Sequence, residues 1–430
     1  MKIFKFGGAS VKDAKSIRNV AHIVSLYGIE KLGIVISAMG KTTNAMEQIV
    51  ETLMSKQEAL FQGYVEERRQ FHLEIMNELF HDKTNPIYTD VLEVFRSLEI
   101  KYKSSPRLNY DFEYDQIVGT GEILSTKIVS AFLNQQGFNS KWADATTLIQ
   151  TDKAYREAEI NWEKTTALFQ SHFIPQFESY DIQITQGFIG HTDEGFTTTL
   201  GREGSDFTAG IMAYCCDAEN VTIWKDVPGM LNADPKWFDD TIKLDSISFR
   251  EAIELSYYGA SVIHPKTVKP LQNKKIPLYV KSFIDPQADG TVIQSSTVND
   301  QLVPSFIFKM NQVLFSFTPK DFSFIAEDNL SDIFNRLSAA NAKINLMQNS
   351  ALQFSILLDK EKVNIEEILA LFKDIYHVKF NTGLELVTIR HYDQATLDRV
   401  TINKEIILQQ KTRETARLIV RQKTKGIIIP

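Results

Sequence analysis

The chain has 430 residues, 43% of them hydrophobic and 23% charged, so it is long enough for two or three packed domains and too apolar for a disordered chain. Its 47 Lys and Arg against 54 Asp and Glu give a net charge of −7, which excludes the global positive field that holds nucleic acid or an anionic membrane. No apolar run of membrane-spanning length occurs, and Gly7-Gly8 comes before any signal-like stretch, so a cytoplasmic location is expected.

In chain order, residues 2–6, 33–37, 182–185 and 221–224 read as β-branched strands. Residues 13–27 carry Ile17, Val20 and Val24 at helical spacing, and residues 44–80 read as a long helical hairpin. Alternation of this kind over residues 1–300 is the pattern of an α/β domain with a mainly parallel sheet sandwiched by helices. The two cysteines, Cys215 and Cys216, are adjacent, come after an apolar run and have no nearby His or Cys, so they read as buried reduced thiols and not as a zinc site.

Near residue 300 the pattern shortens. A strand at 312–317, a helix at 330–340 with Leu330, Ile333, Phe334 and Leu337 on one face, strands at 343–346 and 352–358, a helix at 365–372 and a strand at 378–380 make a βαββαβ unit, the ferredoxin-like arrangement. The chain beyond it supplies strands at 384–390 and 405–410, too little for a second complete unit unless residues 305–309 provide its first strand. The expected domains are therefore 1–300, a first ferredoxin-like unit at 311–381, and a discontinuous second unit of 303–310 plus 382–430 into which the first is inserted.

Four segments carry chemistry. Lys5-Phe6-Gly7-Gly8-Ala9-Ser10 closes the first strand, where two glycines let the backbone turn its N–H groups toward phosphate oxygens and the lysine adds charge; alone, such a Gly-Gly is more often only a turn. Gly40-Lys41-Thr42 mimics the end of a P-loop, but that motif needs glycine at position 35, where the chain has Val35. The stretch from Ser37 through Thr43 still joins a strand to a helix and offers hydroxyls and N–H groups to an anion, or else a polar helix cap. In Gly201-Arg202-Glu203-Gly204-Ser205-Asp206, a bidentate donor, a hydroxyl and a carboxylate converge on a helix start; a capping role would explain Asp206 but not Arg202. Trp224-Lys225-Asp226-Val227-Pro228-Gly229, with Asn232-Ala233-Asp234-Pro235-Lys236 beyond it, reads alone as a strand and a turn-rich loop.

Taken in this order, the segments resemble the aspartate kinases of the amino-acid kinase superfamily over essentially the whole chain. The first matches KFGGTS with Ala9 for Thr, the third GRGGSD with Glu203 for Gly, and the fourth WTDVxGxxTxDPR. A further stretch, from Glu254-Leu255-Ser256 through Gly259-Ala260-Ser261 to His264-Pro265, resembles ELxxxGAKVLHP. The resemblance implies an amino-acid kinase fold followed by two ACT units, and ATP-dependent phosphorylation of the side-chain carboxylate of L-aspartate, the first step toward lysine, threonine and methionine. It implies that Lys5 spans the transferring phosphates and Asp206 organises it, and that Ser37, Thr43, Glu122, Arg202 and Ser205 hold aspartate. Gly7, Gly8, Lys225, Asp226, Leu231 and Lys236 fall at nucleotide positions. Mg²⁺ is expected on the ATP phosphates, with no protein ligand evident in the sequence.

Three positions depart from the pattern: Ser261 stands where a nucleotide-contacting lysine is usual, Lys236 replaces an arginine, and Thr146 replaces another. Lys225 replaces an uncharged residue. By the same resemblance, Asp321 and Asp328, with Met347, Gln348 and Ser350, would form an effector site for lysine or threonine at a homodimer interface. Alternatives are a catalytically silent amino-acid sensor, against which Lys5, Glu122, Arg202 and Asp206 speak, and a superfamily kinase for another acceptor, against which the paired C-terminal unit speaks. With no second Gly-rich dinucleotide segment before Pro430, a fused homoserine dehydrogenase is not expected.

Overall fold

The structure, a computed structural model, describes residues 1–27, 30–104, 109–260, 263–321 and 323–423. Two compact units emerge. The first takes in Met1–Met230, Lys243–Ile253 and the chain up to Asp300; the second takes in Leu231–Ile242, Glu254–Ala260 and the chain from Gln301 onward.

The first unit is built on β1 (Lys2–Phe6), β2 (Leu32–Ile36), β3 (Ser140–Ala143), β4 (Ile182–Gln186), β7 (Asn220–Lys225), β8 (Ser246–Ser248), β9 (Leu278–Ser282) and β10 (Thr291–Gln294), with the small ribbon β5 (Ile189–His191) and β6 (Thr197–Thr199) standing apart. The eight-stranded sheet runs β3-β4-β2-β1-β7-β9-β10-β8, parallel except between β9 and β10. Every residue of β2 is buried, as expected for a parallel strand covered on both faces. In β1, Phe4 and Phe6 pack on Trp224 with ring centroids 5.5 and 6.2 Å away, and strand alternation turns Lys5 to the opposite face.

Around the sheet lie α1 (Ala14–Leu26), α2 (Thr42–Met54), α3 (Glu58–Leu79), α4 (Ile87–Ser104), α5 (Tyr110–Val118), α6 (Thr120–Gln135), α7 (Trp162–Leu168), α8 (Gly204–Cys215) and α10 (Pro265–Lys274), while α9 (Phe249–Tyr258) is divided between the units at Ile253/Glu254. Helix α1 starts at Asp13, whose side chain accepts from the Ser16 amide. The expected hairpin over 44–80 is α2 and α3, parted at residues 55–57. Helices α4–α6, which the sequence pattern did not assign, bring Val91, Phe95, Ile117 and Ile128 to the same core as Met46 and Phe61.

The second unit is one six-stranded antiparallel sheet, β12-β13-β11-β14-β16-β15, formed by β11 (Ser305–Pro319), β12 (Ile344–Asn349), β13 (Phe354–Asp359), β14 (Tyr376–Arg390), β15 (Lys404–Lys411) and β16 (Thr415–Gln422). Its helices are α11 (Glu327–Ala339), α12 (Ile365–Phe372) and α13 (Gln394–Thr401). Two pairs of strands read separately from the sequence are each one continuous strand. Residues 305–309 and 312–317 join as β11, and 378–380 and 384–390 join as β14, with the register between them shifting at Lys309/Gln312 and Gln312/Leu314. The joint is a bulge, with Asn311 at φ 54.

The later half of β11 and the early half of β14 thus serve one ferredoxin-like array, and the remaining halves a second. Helix α13 and strand β16 were not anticipated: α13 is only eight residues long and polar on its outer face, its clearest signal being the Asp393–Thr396 capping box. In place of a second helix, the second array is covered by Ala233 and Phe238, the latter stacked on Phe306 at 4.5 Å between centroids.

Candidate functional site

A cavity of about 820 Å³ in the first unit is lined by Lys5, Ser37, Thr43, Glu122, Arg202, Ser205, Asp206 and Lys225, all singled out from the sequence. They come from the C-terminal ends of β1, β2 and β7, the first turns of α2, α6 and α8, and, for Arg202, the loop before α8, the crevice where open α/β sheets receive ligands.

At its floor the Lys5 ammonium lies 2.6 Å from Asp206 Oδ1, and Lys225 Nζ lies 3.5 Å from Asp206 Oδ2. Burial works against the Asp206 carboxylate, but the two lysines outweigh it and hold its pKa below the ordinary value. Asp206 therefore is no helix cap. Helix α8 begins instead at Glu203, in left-handed backbone (φ 55) without a side-chain cap among the described residues, and its Gly204 and Asp206 amides donate to the Gly201 and Glu203 carbonyls.

Glu122 is 2% exposed. Its Oε1 accepts from the Ala38 amide at 3.3 Å, while Oε2 is buried without a hydrogen-bond partner among the described residues. Burial pushes this carboxyl up to about 8, with the Ala38 amide and Lys5 pulling the other way. Ser125 Oγ donates to the Ser37 carbonyl at 2.8 Å and fixes the end of β2 against α6. A buried acid beside an ammonium–carboxylate–ammonium cluster suits a zwitterionic or anionic ligand, and the exposed residue Arg202 adds a bidentate donor to the cavity wall.

Gly7 and Gly8 form the turn after β1 but do not line the cavity. A Cβ on Gly8 would sit 2.7 Å from the Ala38 carbonyl oxygen, and the Gly40 amide donates to the Gly8 carbonyl at 3.0 Å, so glycine is required there by two loops in contact. Helix α2 starts at Lys41 with no side-chain cap, which removes the polar-cap reading of that segment. Asp226 is exposed just past β7. Leu231 and Lys236 belong to the second unit, where the Lys236 amide donates to Asp234 at 2.9 Å. Thr146 sits in a short turn bonded to Asp144, and Ser261 lies outside the described residues.

The cavity also contains Asp111, Tyr114, Tyr155, Arg156, Glu157 and Phe188, which the sequence reading missed. Asp111, Tyr114, Tyr155, Arg156 and Glu157 stand in no Gly-rich or strand-end motif, so only folding brings them in, whereas Phe188 lies just past β4 between Gly187 and Gly190. In the second unit, Asp321 is exposed and accepts from the Ser323 amide and hydroxyl, Asp328 lies in the first turn of α11, and Met347, Gln348 and Ser350 are exposed in or just after edge strand β12. Both cysteines are free, and burial pushes the Cys215 thiol up to about 11. Among the described residues no His, Cys, Asp and Glu cluster could hold a metal ion, and no helix is long and apolar enough to cross a membrane.

Comparison with known proteins agrees with this geometry. The chain is 28% identical over 399 residues to the lysine-sensitive aspartokinase 3 of Escherichia coli K12, covering 90% of this chain and 86% of that one. It is 32% identical over 311 residues to the chloroplastic bifunctional aspartokinase/homoserine dehydrogenase of Daucus carota, where it spans 69% of itself but only 32% of the relative. Among solved structures, E. coli aspartokinase III in complex with lysine and aspartate (T-state) superposes with a TM-score of 0.83 at 25% identity, over 98% of this chain and 96% of that one. The same enzyme with aspartate and ADP (R-state) gives 0.80 at 25% identity with the same coverage. The amino acid kinase family profile matches residues 1–282, and with the parallel sheet and the crevice at its strand ends this establishes that the chain belongs to the amino acid kinase family.

Proposed function

We infer that this protein is an aspartate kinase, transferring the terminal phosphoryl group of ATP to the side-chain carboxylate of L-aspartate to give 4-phospho-L-aspartate and ADP. The observation that carries this reading is the cavity in which a buried acid, Glu122, with one oxygen unpartnered among the described residues, faces the Lys5–Asp206–Lys225 cluster and Arg202. The relatives named aspartokinase, and the related structures holding aspartate with ADP or with lysine, support it.

In this reading Glu122 accepts the substrate ammonium, Arg202 grips a carboxylate in bidentate fashion, and Ser37, Thr43 and Ser205 complete the aspartate pocket. The free carboxylate oxygen then attacks the terminal phosphorus in line, and the bond to the bridging oxygen of ADP breaks. Lys5, oriented by Asp206, and Lys225 offset charge on the transferring group, since catalysis here is chiefly positioning and neutralisation. Gly7, Gly8 and Asp226, with Leu231 and Lys236, are assigned to the nucleotide.

Asp206 is engaged by two lysines and no acidic cluster is present among the described residues, a donor set that fits Mg²⁺ arriving on the ATP phosphates and not one caged by the protein. When bound, the ion neutralises phosphate charge. The domain boundaries proposed are 1–300, 311–381, and 303–310 with 382–430. We further assign the C-terminal unit to homodimerisation and to feedback inhibition by lysine or threonine through Asp321, Asp328, Met347, Gln348 and Ser350, place the enzyme in the cytoplasm, and place its product on the route to lysine, threonine and methionine.

A coupled assay of ADP formation tests the reading. Aspartate-dependent ADP from the wild type, absent in Lys5→Ala and lowered by added lysine or threonine, is expected; no aspartate-dependent ADP would reject the kinase, and rates indifferent to both amino acids would reject the feedback assignment.

A further inference from the structure

Asp115, on α5, is fully buried, yet it does not line the cavity. Its carboxylate is surrounded by donors from two other segments. The Arg156 amide donates to Oδ2 at 3.0 Å and to Oδ1 at 3.2 Å, the Thr199 amide donates to Oδ2 at 2.8 Å, and the Thr199 hydroxyl donates to Oδ1 at 2.7 Å. Burial raises its pKa above the ordinary value in spite of these donors, so folding bears a desolvation cost at this point.

Both segments end in the cavity. Arg156 is itself a lining residue, in left-handed backbone (φ 71), with its guanidinium 3.2 Å from Asp111 and 4.6 Å from the Tyr114 ring centroid. Thr199 ends β6 three residues before Arg202. The two segments also lie back to back, since a Cβ on Gly201 (φ 77) would stand 3.2 Å from the Arg156 carbonyl oxygen. Asp111 and Tyr114, on the same helix as Asp115, form the adjoining wall.

We propose that Asp115 is a positioning residue for the acceptor: one buried carboxylate fastens the Arg156 loop and the Thr199–Arg202 segment to α5, and so sets where both guanidinium groups meet the substrate carboxylate. The inference rests on the reading of this cavity as the aspartate site. Asp115 acts by accepting hydrogen bonds, not by its charge. An asparagine there keeps one oxygen for the two amides and turns its own amide toward the Thr199 hydroxyl, which can accept, whereas alanine leaves two buried N–H groups unpaired.

The test is steady-state kinetics and calorimetric binding of L-aspartate on the full chain. Asp115→Ala is expected to raise the KM and Kd for aspartate by about tenfold to a hundredfold, with the KM for ATP within about threefold of wild type. Asp115→Asn is expected to restore aspartate binding to within about threefold of wild type. If Asp115→Ala does not fold, Thr199→Val removes one donor without changing shape, and a rise in the aspartate KM with an unchanged ATP KM is expected. Unaltered aspartate binding in Asp115→Ala or Thr199→Val, parallel rises in both KM values, or failure of asparagine to rescue would overturn the proposal. A wild type that binds aspartate but forms no ADP would reject the kinase reading alone, because the calorimetric comparison still decides the role of Asp115.

Discussion

Lys5 and Asp206 meet 2.6 Å apart across the gap between a strand end and a helix start, with only 9% and 5% of their side chains exposed. Such a pair is costly to break from the carboxylate side, because Asp206→Leu leaves the Lys5 ammonium without its counter-charge, whereas Lys5→Met leaves Asp206 with Lys225 at 3.5 Å. Asp206→Leu should destabilise the fold by about 3–5 kcal/mol in denaturant titrations, Lys5→Met by less, and the double variant should recover much of the loss seen in Asp206→Leu. All three should lack aspartate-dependent ADP formation. A double variant no more stable than Asp206→Leu would show that the pair is not held by mutual neutralisation.

Glu122 sets stability against binding. Its folded pKa, about 8, lies above the ordinary 4.5, so the folded chain retains a proton that the unfolded chain releases. The stability contribution of this group is full below pH 4.5 and is lost as pH rises toward 8. Glu122→Gln should therefore raise the Tm at pH 8 by about 2–4 °C while raising the aspartate KM at least about tenfold. In the wild type, kcat/KM for aspartate should climb as the carboxyl ionises near pH 8, and this climb should vanish in Glu122→Gln.

His72, on α3, is wholly buried between Phe71 and Phe95, its Nδ1 2.7 Å from the Arg68 carbonyl oxygen, and burial lowers its pKa from 6.5 to about 4. Between those values the unfolded chain binds a proton that the folded chain refuses, so stability is lost as pH falls from 6.5 toward 4. Chemical denaturation at pH 7 and pH 4.5 should differ by on the order of 3 kcal/mol from this group alone. His72→Gln should shrink that difference, and an unchanged difference would assign acid lability elsewhere.

Gly8 is predicted to be intolerant of even one carbon. With the Ala38 carbonyl oxygen 2.7 Å from its would-be Cβ, Gly8→Ala must part the turn after β1 from the loop after β2. A loss of about 1–3 kcal/mol in stability and a fall in kcat are expected from melting curves and the ADP assay. Gly63→Ala, where no atom lies within 4 Å, should leave both intact.

Much of the candidate site was legible because its residues sit at strand ends and helix starts, where glycine, hydroxyl and charge patterns mark the chain. Lys5, Ser37, Arg202 and Asp206 were placed from such marks, Glu122 only through the family resemblance, and all five line one cavity. Arg156, Tyr114 and Asp115 carry no comparable mark: an aspartate within a helix reads as a solvated face, and only contact with Thr199 and Arg156 shows that it is enclosed. In the C-terminal unit, the strands were legible from alternation, but the continuity of β11 and β14 was not, because the polar residues at the bulge resemble a loop until both flanks are seen to share a partner strand.

The sequence by itself determined the class of sheet, the order of its chemical segments and the type of charge each would supply, since these depend on local periodicity and residue chemistry. Only the tertiary structure decided that Asp206 faces Lys5 and Lys225 instead of capping its helix, that Glu122 keeps an oxygen without a partner among the described residues, and that Leu231 and Lys236 belong to the second unit. Those outcomes turn on burial and on approach between residues far apart in the chain, and neither is encoded in any short stretch of it.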